Sequence, residues 1–429
     1  MKQKIYKRKR IIPVGWKEIK LGDVFRTSSG STPLSTEKSY YEGGVIPWIN
    51  SGELASPYIY KTSNYITQKG FENSSTELYP KDTVLVAMYG ATAGKASLLK
   101  LEACTNQAIC AILPNEDYCP EFIKYNIDTL YEHLVGLSSG SARDNLSQAG
   151  LKELKLVLPK TKKEQEKLVS VLSLLDRKIE LNRQINDNLE AMAKQLYDYW
   201  FVQFDFPNEE GKPYKSSGGA MVWNENLKRE IPQGWVVEKM GACTNILLGG
   251  TPDTNDNSLW GNGYNWLNSG EVAEFPILKS EKNITPKGLE KSATVLAPKG
   301  SVTLSITRHL RPSILCIDAC INQSVVAILE NDKISKEYIY PLLNRDIPRL
   351  MSLRTGAQQP HINKETVEAI NVVLPPANIM GAYINIAESI YNAIFNNAKE
   401  VEELTKQRDE LLPLLMNGQA SVNYHLSDD

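Results

Sequence analysis

The chain carries one sequence plan twice. Residues 12–16 read IPVGW and residues 231–235 read IPQGW, and further matching segments follow in the same order in both halves. These segments pair SSGSTP (28–33) with LLGGTP (247–252), NSGE (50–53) with NSGE (268–271), ITQKGFENSST (66–76) with ITPKGLEKSAT (284–294), and VLP (157–159) with VLP (373–375). A repeat period above 200 residues is far too long for a solenoid. We therefore expect each copy to be a whole domain with its own core.

Composition limits what such a duplicated chain can be. With 429 residues, 42% of them hydrophobic and 23% charged, it has the make-up of a globular protein of two or three domains. The net charge of −2 means that any surface for a polyanion must be local. No apolar signal region follows the basic start and no stretch approaches a membrane helix, so we predict a cytoplasmic protein. Six cysteines without CxxC spacing are expected to be free thiols.

Each copy divides into a globule and a helix. Short β-branched and aromatic runs, broken by Gly, Pro, Asn and Ser, fill residues 12–160, with one predicted helix at 120–134, which is typical of a mixed α/β domain. Residues 164–200 contain no Gly or Pro and follow a heptad pattern. Its seam positions are Leu168, Leu172, Leu175, Ile179, Asn182, Asn186, Leu189, Ala193, Leu196 and Trp200. The second copy repeats the seam at Tyr383, Ala387, Ile390, Ile394, Asn397, Val401, Leu404, Arg408, Leu411 and Leu415.

The two seams predict that the long helices pair with each other. Asn397 matches Asn182, and a buried polar residue in a seam fixes register at a cost in stability. The predicted pairing residues are Leu175, Asn182 and Leu189 in the first helix and Ile390, Asn397 and Leu404 in the second. About 35 helical residues span roughly 50 Å, so an antiparallel pair would separate two similar globules with pseudo-two-fold symmetry, as in dimeric DNA-binding proteins. The alternative is two separate amphipathic helices, each packed on its own domain.

The sequence offers no catalytic constellation. GATAGKAS at 90–97 has three residues between its glycines and Ala96 after Lys95, whereas a Walker loop needs four residues and a Ser or Thr. GNGYNW at 261–266 lacks the third glycine of a dinucleotide site. There is no HExxH, there are only four histidines, and the DPPY or NPPY of aminomethyltransferases is missing. We therefore expect a chain that is not an enzyme and needs no cofactor or metal of its own.

The segment between the first helix and the second globule has a specific resemblance. Residues 200–235, WFVQFDFPNEEGKPYKSSGGAMVWNENLKREIPQGW, resemble the central conserved region of type I restriction-modification specificity subunits. The order of globule, helix, connector, globule and helix, with IPxGW opening each globule, is similar to that family over nearly the whole chain. Pro413 is a departure, and we expect it to end or kink the last helix near Leu412.

This resemblance implies a DNA-recognition subunit. It implies α/β (α+β) target recognition domains in tandem, separated by two long antiparallel coiled-coil helices, each domain binding half of a bipartite asymmetric site in double-stranded DNA. The helices would also hold two adenine-methyltransferase subunits and, through these, the restriction or translocase subunits. The predicted parts are a first recognition domain at 1–160, a helix at 161–205, a connector at 206–230, a second recognition domain at 231–376, and a helix with tail at 377–429.

Comparison of the two copies separates scaffold from specificity. Trp48 with Trp266, Asn50 with Asn268, and Asn106 with Asn322 are the same residue in both copies. Such residues cannot make two halves recognise different bases, so we assign them structural or phosphate-positioning roles. Of these, Asn50 and Asn106 are kept as DNA-contact candidates in the first half.

Segments that differ between the copies are better candidates for specificity. Residues 88–95 face 306–313, and residues 139–147 face 355–363. Arginine or lysine suits guanine and Asn or Gln suits adenine, so the candidates are Lys95, Arg143 and Asn145 in the first half and Arg308, His309, Arg311, Arg354, Gln358, Gln359 and His361 in the second. The alternative for each is a solvated loop residue or a phosphate contact.

Two further features remain open. Tyr197, Tyr199, Trp200 and Phe201 are predicted to dock the methyltransferase, although base stacking or core packing would also suit an aromatic cluster. The basic residues 7–10 either contact backbone phosphate or form a solvated end.

The sequence thus favours a DNA-binding scaffold whose partner flips and methylates the target adenine at S-adenosylmethionine. A two-headed protein-interaction scaffold without DNA specificity is the alternative, and it would show no salt-sensitive DNA binding. A nuclease ranks last, because the carboxylates form no spaced motif.

Overall fold

The chain forms two compact units. The computed structural model describes residues 12–138, 146–307, 309–356 and 360–422. Unit 1 consists of residues 1–179 and 403–429, and unit 2 of residues 180–402. The two longest helices, Lys162–Tyr197 and Ala377–Met416, each contribute residues to both units.

The globule of unit 1 is built from short strands. Within the described ranges these are β1 (Trp16–Lys20), β2 (Thr27–Ser29), β3 (Ile46–Ile49), β4 (Tyr58–Ile59), β5 (Tyr65–Ile66), β6 (Val84–Ala87), β7 (Ala96–Leu99), β8 (Cys104–Thr105), β9 (Ile109–Ile112) and β10 (Lys155–Pro159). They form sheets of order β2-β9-β6-β7-β4, β5-β3-β8 and β1-β10. The pairs β3 with β8 and β4 with β7 are parallel, and the other pairs are antiparallel.

Short helices pack around these sheets, and the long helix α6 follows the last strand. They are α1 (Leu21–Val24), α2 (Gln68–Glu72), α3 (Pro120–Asp128), α4 (Tyr131–Ser138), α5 (Gln148–Lys152) and α6 (Lys162–Tyr197), and a π-helical turn at Asp198–Val202 extends α6. The single helix predicted at 120–134 is therefore two. Proline at the first position of α3 suits a helix start, because the missing N–H would have no partner there.

Unit 2 repeats this architecture. Its strands are β11 (Met221–Asn224), β12 (Arg229–Pro232), β13 (Val236–Lys239), β14 (Ile246–Leu248), β15 (Trp260–Leu267), β16 (Lys282–Ile284), β17 (Val295–Ala297), β18 (Val302–Ser305), β19 (Pro312–Ile314), β20 (Ala319–Ile321), β21 (Val325–Ile328) and β22 (Asn371–Leu374). Its helices are α7 (Met240–Cys243), α8 (Pro286–Glu290), α9 (Lys336–Ser352), α10 (Lys364–Glu368) and α11 (Ala377–Met416).

Sheet topology follows the sequence repeat. The order β14-β21-β18-β19 matches β2-β9-β6-β7, the order β16-β15-β20 matches β5-β3-β8, and β13-β22 matches β1-β10. Strands β6 and β9 of unit 1 and β18 and β21 of unit 2 are buried at every position, because both faces of these sheets pack against apolar layers. The predicted mixed α/β fold in tandem is confirmed.

The long helices pair, as the seams predict, and they run antiparallel, as the resemblance implies. In unit 1, Asp176 of α6 contacts Arg408 of α11. In unit 2, Asn182 contacts Glu400, and further along α6 Asn186 contacts Asn397. Residue numbers rise along α6 while those of the partners fall along α11, which defines the antiparallel direction in both units.

Helix α11 does not end at Pro413, which was one of the two outcomes expected there, and a kink at this residue stays a prediction. Helix α11 continues through Pro413 to Met416, where Leu415 and Met416 are only 3% and 4% exposed in the core of unit 1. A proline removes a backbone N–H, but burial of the following side chains holds the last turn, and the Asn417 N–H donates to the Pro413 carbonyl at 3.2 Å.

Two other observations bear on the class of protein. All six cysteines are free thiols, as predicted, and burial raises the pKa of Cys110 and of Cys119 to about 12.

Among the described helices, none is both long and apolar enough to cross a membrane.

Candidate nucleic-acid interface

The loop between β6 and β7 of unit 1, residues 88–95, is a hydrogen-bonded hairpin. The Gly94 N–H donates to the Ala87 carbonyl at 2.8 Å and the Ala87 N–H to the Lys95 carbonyl at 3.0 Å. Thr92 Oγ1 donates to the Ser51 carbonyl at 2.7 Å, which ties the loop to the turn after β3. Gly90 and Gly94 have φ of +82° and +83°, a region that favours glycine. The loop is therefore held in one shape by its own backbone.

This loop packs against α4. A Cβ placed on Gly94 would lie 3.3 Å from Leu134 Cβ and 3.3 Å from Val135 Cγ2. Lys95 Nζ lies 5.7 Å from the centre of the Tyr131 ring, and both side chains are exposed to solvent. Helix α4 leads directly into the second divergent segment of unit 1, at 139–147. The loop at 88–95 thus contacts the helix that directly precedes the second divergent segment in sequence.

In unit 2 the two divergent segments contact each other directly. Thr307, in the loop between β18 and β19, forms an isolated antiparallel β-bridge with His361, in the segment after α9. His361 forms a second such β-bridge with Thr355. His361 and Thr355 exchange two backbone hydrogen bonds of 2.9 Å each, and the Ile362 N–H donates to the Ile306 carbonyl at 3.0 Å. Segments separated by some fifty residues therefore form one surface.

The described base-readout candidates lie on these loops. Lys95, His309, Arg311 and His361 are exposed, whereas Arg354 is half-buried and its Nε donates to the Met351 carbonyl at 3.1 Å. Five further candidates lie outside the described residues, and these are Arg143, Asn145, Arg308, Gln358 and Gln359. The basic residues 7–10 lie outside them as well.

Residues shared by the two copies make the same contacts in each. Trp48 Nε1 donates to the Ser31 carbonyl at 3.1 Å, and Trp266 Nε1 to the Gly250 carbonyl at 3.2 Å. A Cβ on Gly30 would lie 1.8 Å from the Thr105 carbonyl oxygen, so no larger residue fits. These contacts build the loops rather than read a ligand.

The shared asparagines have backbone partners as well. Asn50 Oδ1 accepts from the Gly52 N–H at 3.0 Å, and Asn268 Oδ1 accepts from the Gly270 N–H at 2.7 Å. Asn106 Oδ1 accepts from the Ala108 N–H at 3.1 Å, and its match Asn322 does the same with Ser324 at 3.0 Å. The structure therefore gives Asn50 and Asn106 a turn-forming role, which sets the shape of the surface.

Two of the predicted helix-pairing residues, Asn182 and Asn397, form hydrogen bonds between α6 and α11. Asn182 Nδ2 donates to Glu400 Oε2 at 2.7 Å, and Asn397 Nδ2 donates to Asn186 Oδ1 at 2.9 Å. Leu404 is buried, and Leu175, Leu189 and Ile390 are half-buried. The two matched asparagines thus lie in the interface, but each contacts a different residue of the opposite helix.

The aromatic cluster at the end of α6 belongs largely to the core of unit 2. Tyr197, Trp200 and Phe201 are 3%, 4% and 4% exposed. The Phe201 ring centre lies 4.7 Å from that of Tyr338 and 4.7 Å from that of Tyr383. Side chains so enclosed offer no face to a partner, so the docking prediction has to be corrected for these three. Tyr199 is 38% exposed.

Tyr199 instead lines a groove on the helix pair of unit 2. The groove is formed by Met192, Gln195, Leu196, Asp198, Tyr199, Gln203, Ile386 and Ile390. Met192 and Ile386 are 53% and 47% exposed although apolar. They were missed by the sequence analysis, and the available signal was an apolar residue on each helix outside the heptad seam. No group of His, Cys, Asp or Glu among the described residues is arranged to hold a metal ion.

Comparison with known proteins covers almost the entire chain. The family model described as the type I restriction modification DNA specificity domain matches residues 13–191 and 232–406. The chain is 27% identical over 424 residues to the type I restriction enzyme MjaIX specificity subunit of Methanocaldococcus jannaschii, covering 96% of this chain and 95% of that protein. It is 22% identical over 467 residues to the HindI specificity subunit of Haemophilus influenzae, covering 94% and 99%.

A solved structure agrees on the fold. The S subunit of a type-I restriction-modification system from M. genitalium matches with a TM-score of 0.56 and 16% identity, covering 98% of this chain and 99% of that one. The two matched segments of the family model fall on the two sequence copies and include most of both long helices. The chain therefore belongs to the type I restriction-modification DNA specificity family, as a non-catalytic specificity subunit.

Proposed function

We propose that each unit binds one half of a bipartite, asymmetric site in double-stranded DNA. The observation that carries this proposal is the placement of the divergent segments. The first divergent segment of each unit lies on a matched hairpin, β6–β7 or β18–β19, beside a framework in which Trp48 and Trp266 make the same hydrogen bond. A constant framework with different loops is what two readers of different sequences require.

The chemistry of the loops supports the proposal. Unit 2 presents His309, Arg311 and His361 on one continuous surface, and unit 1 presents Lys95 beside Tyr131. Cationic donors contact phosphates and can bind guanine O6 and N7, and one good base contact is worth about 1–3 kcal/mol of discrimination. Because the two loops present different side chains, the two half-sites are expected to differ.

We further propose that the helix pair docks two adenine-methyltransferase subunits, through which restriction or translocase subunits join the complex in the cytoplasm. The apolar groove around Met192, Tyr199 and Ile386 is the docking surface in unit 2. In unit 1 the position that matches Tyr199 is Leu414, which is 41% exposed, and Leu174 on α6 is 67% exposed. Leu174 itself matches Ser389 rather than a groove residue, so it is the exposed apolar surface on the helix pair of each unit that suits two copies of one partner.

Methylation mapping tests this function. The chain is co-expressed with the modification subunit of its own system, and methylated adenines are located by single-molecule sequencing, with the modification subunit alone as the control. The proposal predicts a split, asymmetric motif that appears only when the chain is present. A stable complex without sequence-specific methylation would refute it.

Docking is tested separately from recognition. Ile386→Glu places a charge on the exposed wall of the groove and is expected to reduce capture of the modification subunit in a pull-down. Glu388→Gln, an exposed position on the same helix, is the matched control and should leave capture unchanged. Equal capture by both variants would contradict the docking surface.

A further inference from the structure

The loop at 88–95 presents only part of its sequence to a ligand. Met88 is 3% exposed, and the hydroxyl of Thr92 donates to the Ser51 carbonyl. Gly90, Ala91, Ala93 and Gly94 have little or no side chain to contact a base. Tyr89, which is 47% exposed, and Lys95 are therefore the two large side chains that the loop offers to solvent.

The two large side chains of this loop differ in how they are held. Lys95 Nζ lies over the Tyr131 ring at 5.7 Å, on the side of the loop that packs against α4. Tyr89 lies at the other end, directly after the buried Met88 and before Gly90 with its φ of +82°. Its backbone is thus held between a core residue and a tight turn, which fixes the place from which the ring projects, and a tyrosine has only two side-chain torsions to order. A rigid aromatic side chain loses little entropy on binding.

Unit 2 uses the matched position differently. Thr307 stands where unit 1 has Tyr89, and its backbone bridges His361. The aromatic ring is therefore a property of the first half alone, which is the pattern expected of a residue that sets sequence specificity rather than of a scaffold residue. The adjacent framework position, Met88 against Ile306, is buried and apolar in both units.

We propose that Tyr89 is a specificity-determining residue of the first half-site, through contact of its ring with a base. This inference rests on the proposed function of unit 1 as a DNA reader. The ring rather than the hydroxyl carries the selection, because a phenol O–H both donates and accepts and so discriminates poorly, whereas an apolar group distinguishes the thymine methyl.

The test is the methylation motif of Tyr89→Ala and Tyr89→Phe, each in the full chain with its modification subunit. Tyr89→Ala should relax one position within one half of the motif by about tenfold, as for the loss of one base contact, and leave the other half unchanged. Tyr89→Phe should keep the wild-type motif. Tyr65→Ala, which removes another exposed tyrosine of unit 1 on β5, is the matched control and should also keep it.

Three results would overturn the inference. An unchanged motif with Tyr89→Ala would show that no base is selected by this side chain. Lower methylation at every site with an unchanged motif would place Tyr89 at a protein contact instead. Relaxation by Tyr89→Phe equal to that by Tyr89→Ala would assign the selection to the hydroxyl. If the wild-type chain directed no split motif at all, the proposed function itself would fail, which is a separate outcome.

Discussion

The helix pair packs against the globule through charged side chains in unit 1 and through aromatic side chains in unit 2. In unit 1, Asp176 of α6 is 1% exposed and receives hydrogen bonds from Tyr125 Oη at 2.6 Å and Arg408 Nη1 at 3.0 Å. Lys124 Nζ lies 3.9 Å from the same carboxylate and 2.8 Å from Asp128. A buried ionic cluster therefore joins α3, α6 and α11 in this unit.

The matched places of unit 2 are apolar and aromatic. Tyr391 stands at the position of Asp176, Ala193 at that of Arg408, and Tyr340 at that of Lys124. The Tyr340 ring stacks on Phe275 with centres 4.4 Å apart and meets the edge of Tyr391 at 6.1 Å. The helix pair thus packs on its globule through charged side chains in unit 1 and through aromatic rings in unit 2.

The two joints should differ in how much stability they lose when a single side chain is removed. A buried ion pair is weak support when intact, because desolvation offsets attraction, but loss of one partner leaves an uncompensated charge. An aromatic joint distributes its stabilisation over many contacts and loses little when a polar atom is removed. The two units should therefore respond very differently to similar substitutions.

The largest expected effect is that of Arg408→Ala. It strips Asp176 of its arginine and should lower the free energy of unfolding by about 3–5 kcal/mol, measured by urea unfolding and by hydrogen exchange in α3. The double variant Asp176→Tyr with Arg408→Ala copies two of the three unit 2 side chains, leaves Lys124 paired with Asp128, and should recover much of that loss. The exposed Arg183→Ala on α6 serves as the control, and a neutral Arg408→Ala would break the comparison.

A smaller effect is expected from removing one hydroxyl in each unit. Tyr125→Phe deletes a hydrogen bond to a buried carboxylate and should cost about 1.5–3 kcal/mol. Tyr391→Phe retains the ring contacts with Tyr340 and Phe395 and should cost less than about 1 kcal/mol. Thermal unfolding of both variants measures the contrast, and equal losses would show that the two joints are not chemically distinct.

The smallest effect is the pH dependence that Glu190 contributes in unit 2. Burial, with a contribution from Asp187, raises the pKa of Glu190 from 4.5 to about 7, while unit 1 has Thr405 at the matched place. The folded state binds this proton more tightly than the unfolded state, so its contribution is complete below pH 4.5 and is lost as pH rises through about 7. The change is on the order of 1 kcal/mol, since the side chain is partly exposed. Glu190→Gln should flatten unfolding free energy between pH 5 and 8, and an unaltered slope would exclude this group.

The sequence was sufficient to predict a contact when both of the contacting segments are repeated in the two copies. Trp48 and Trp266 make the same hydrogen bond because the loops that receive it are also repeated. Heptad spacing predicted the pairing of the long helices and placed Arg408 in their seam. The sequence did not predict which residues the two matched asparagines contact. The stagger of the helices brings Asn397 to Asn186 and Asn182 to Glu400.

Features that depend on tertiary packing could not be predicted. Asp176 lies outside the heptad seam, and its burial depends on α3, some fifty residues earlier. Tyr197 and Tyr199 are two residues apart and so point to nearly opposite sides of the helix, but which side faces the core depends on how the globule of unit 2 packs. The contact of Thr307 with His361 likewise depends on how the globule of unit 2 closes.

If each unit reads its own half of the site, exchanging one recognition domain should change that half alone. Residues 88–147 are replaced by the corresponding segment of another member of the family, and the methylation motif is mapped by single-molecule sequencing. The account predicts that one half of the motif changes while the other half and the spacing between them are kept. A change in both halves, or an unaltered motif from a folded and assembled chimera, would contradict it.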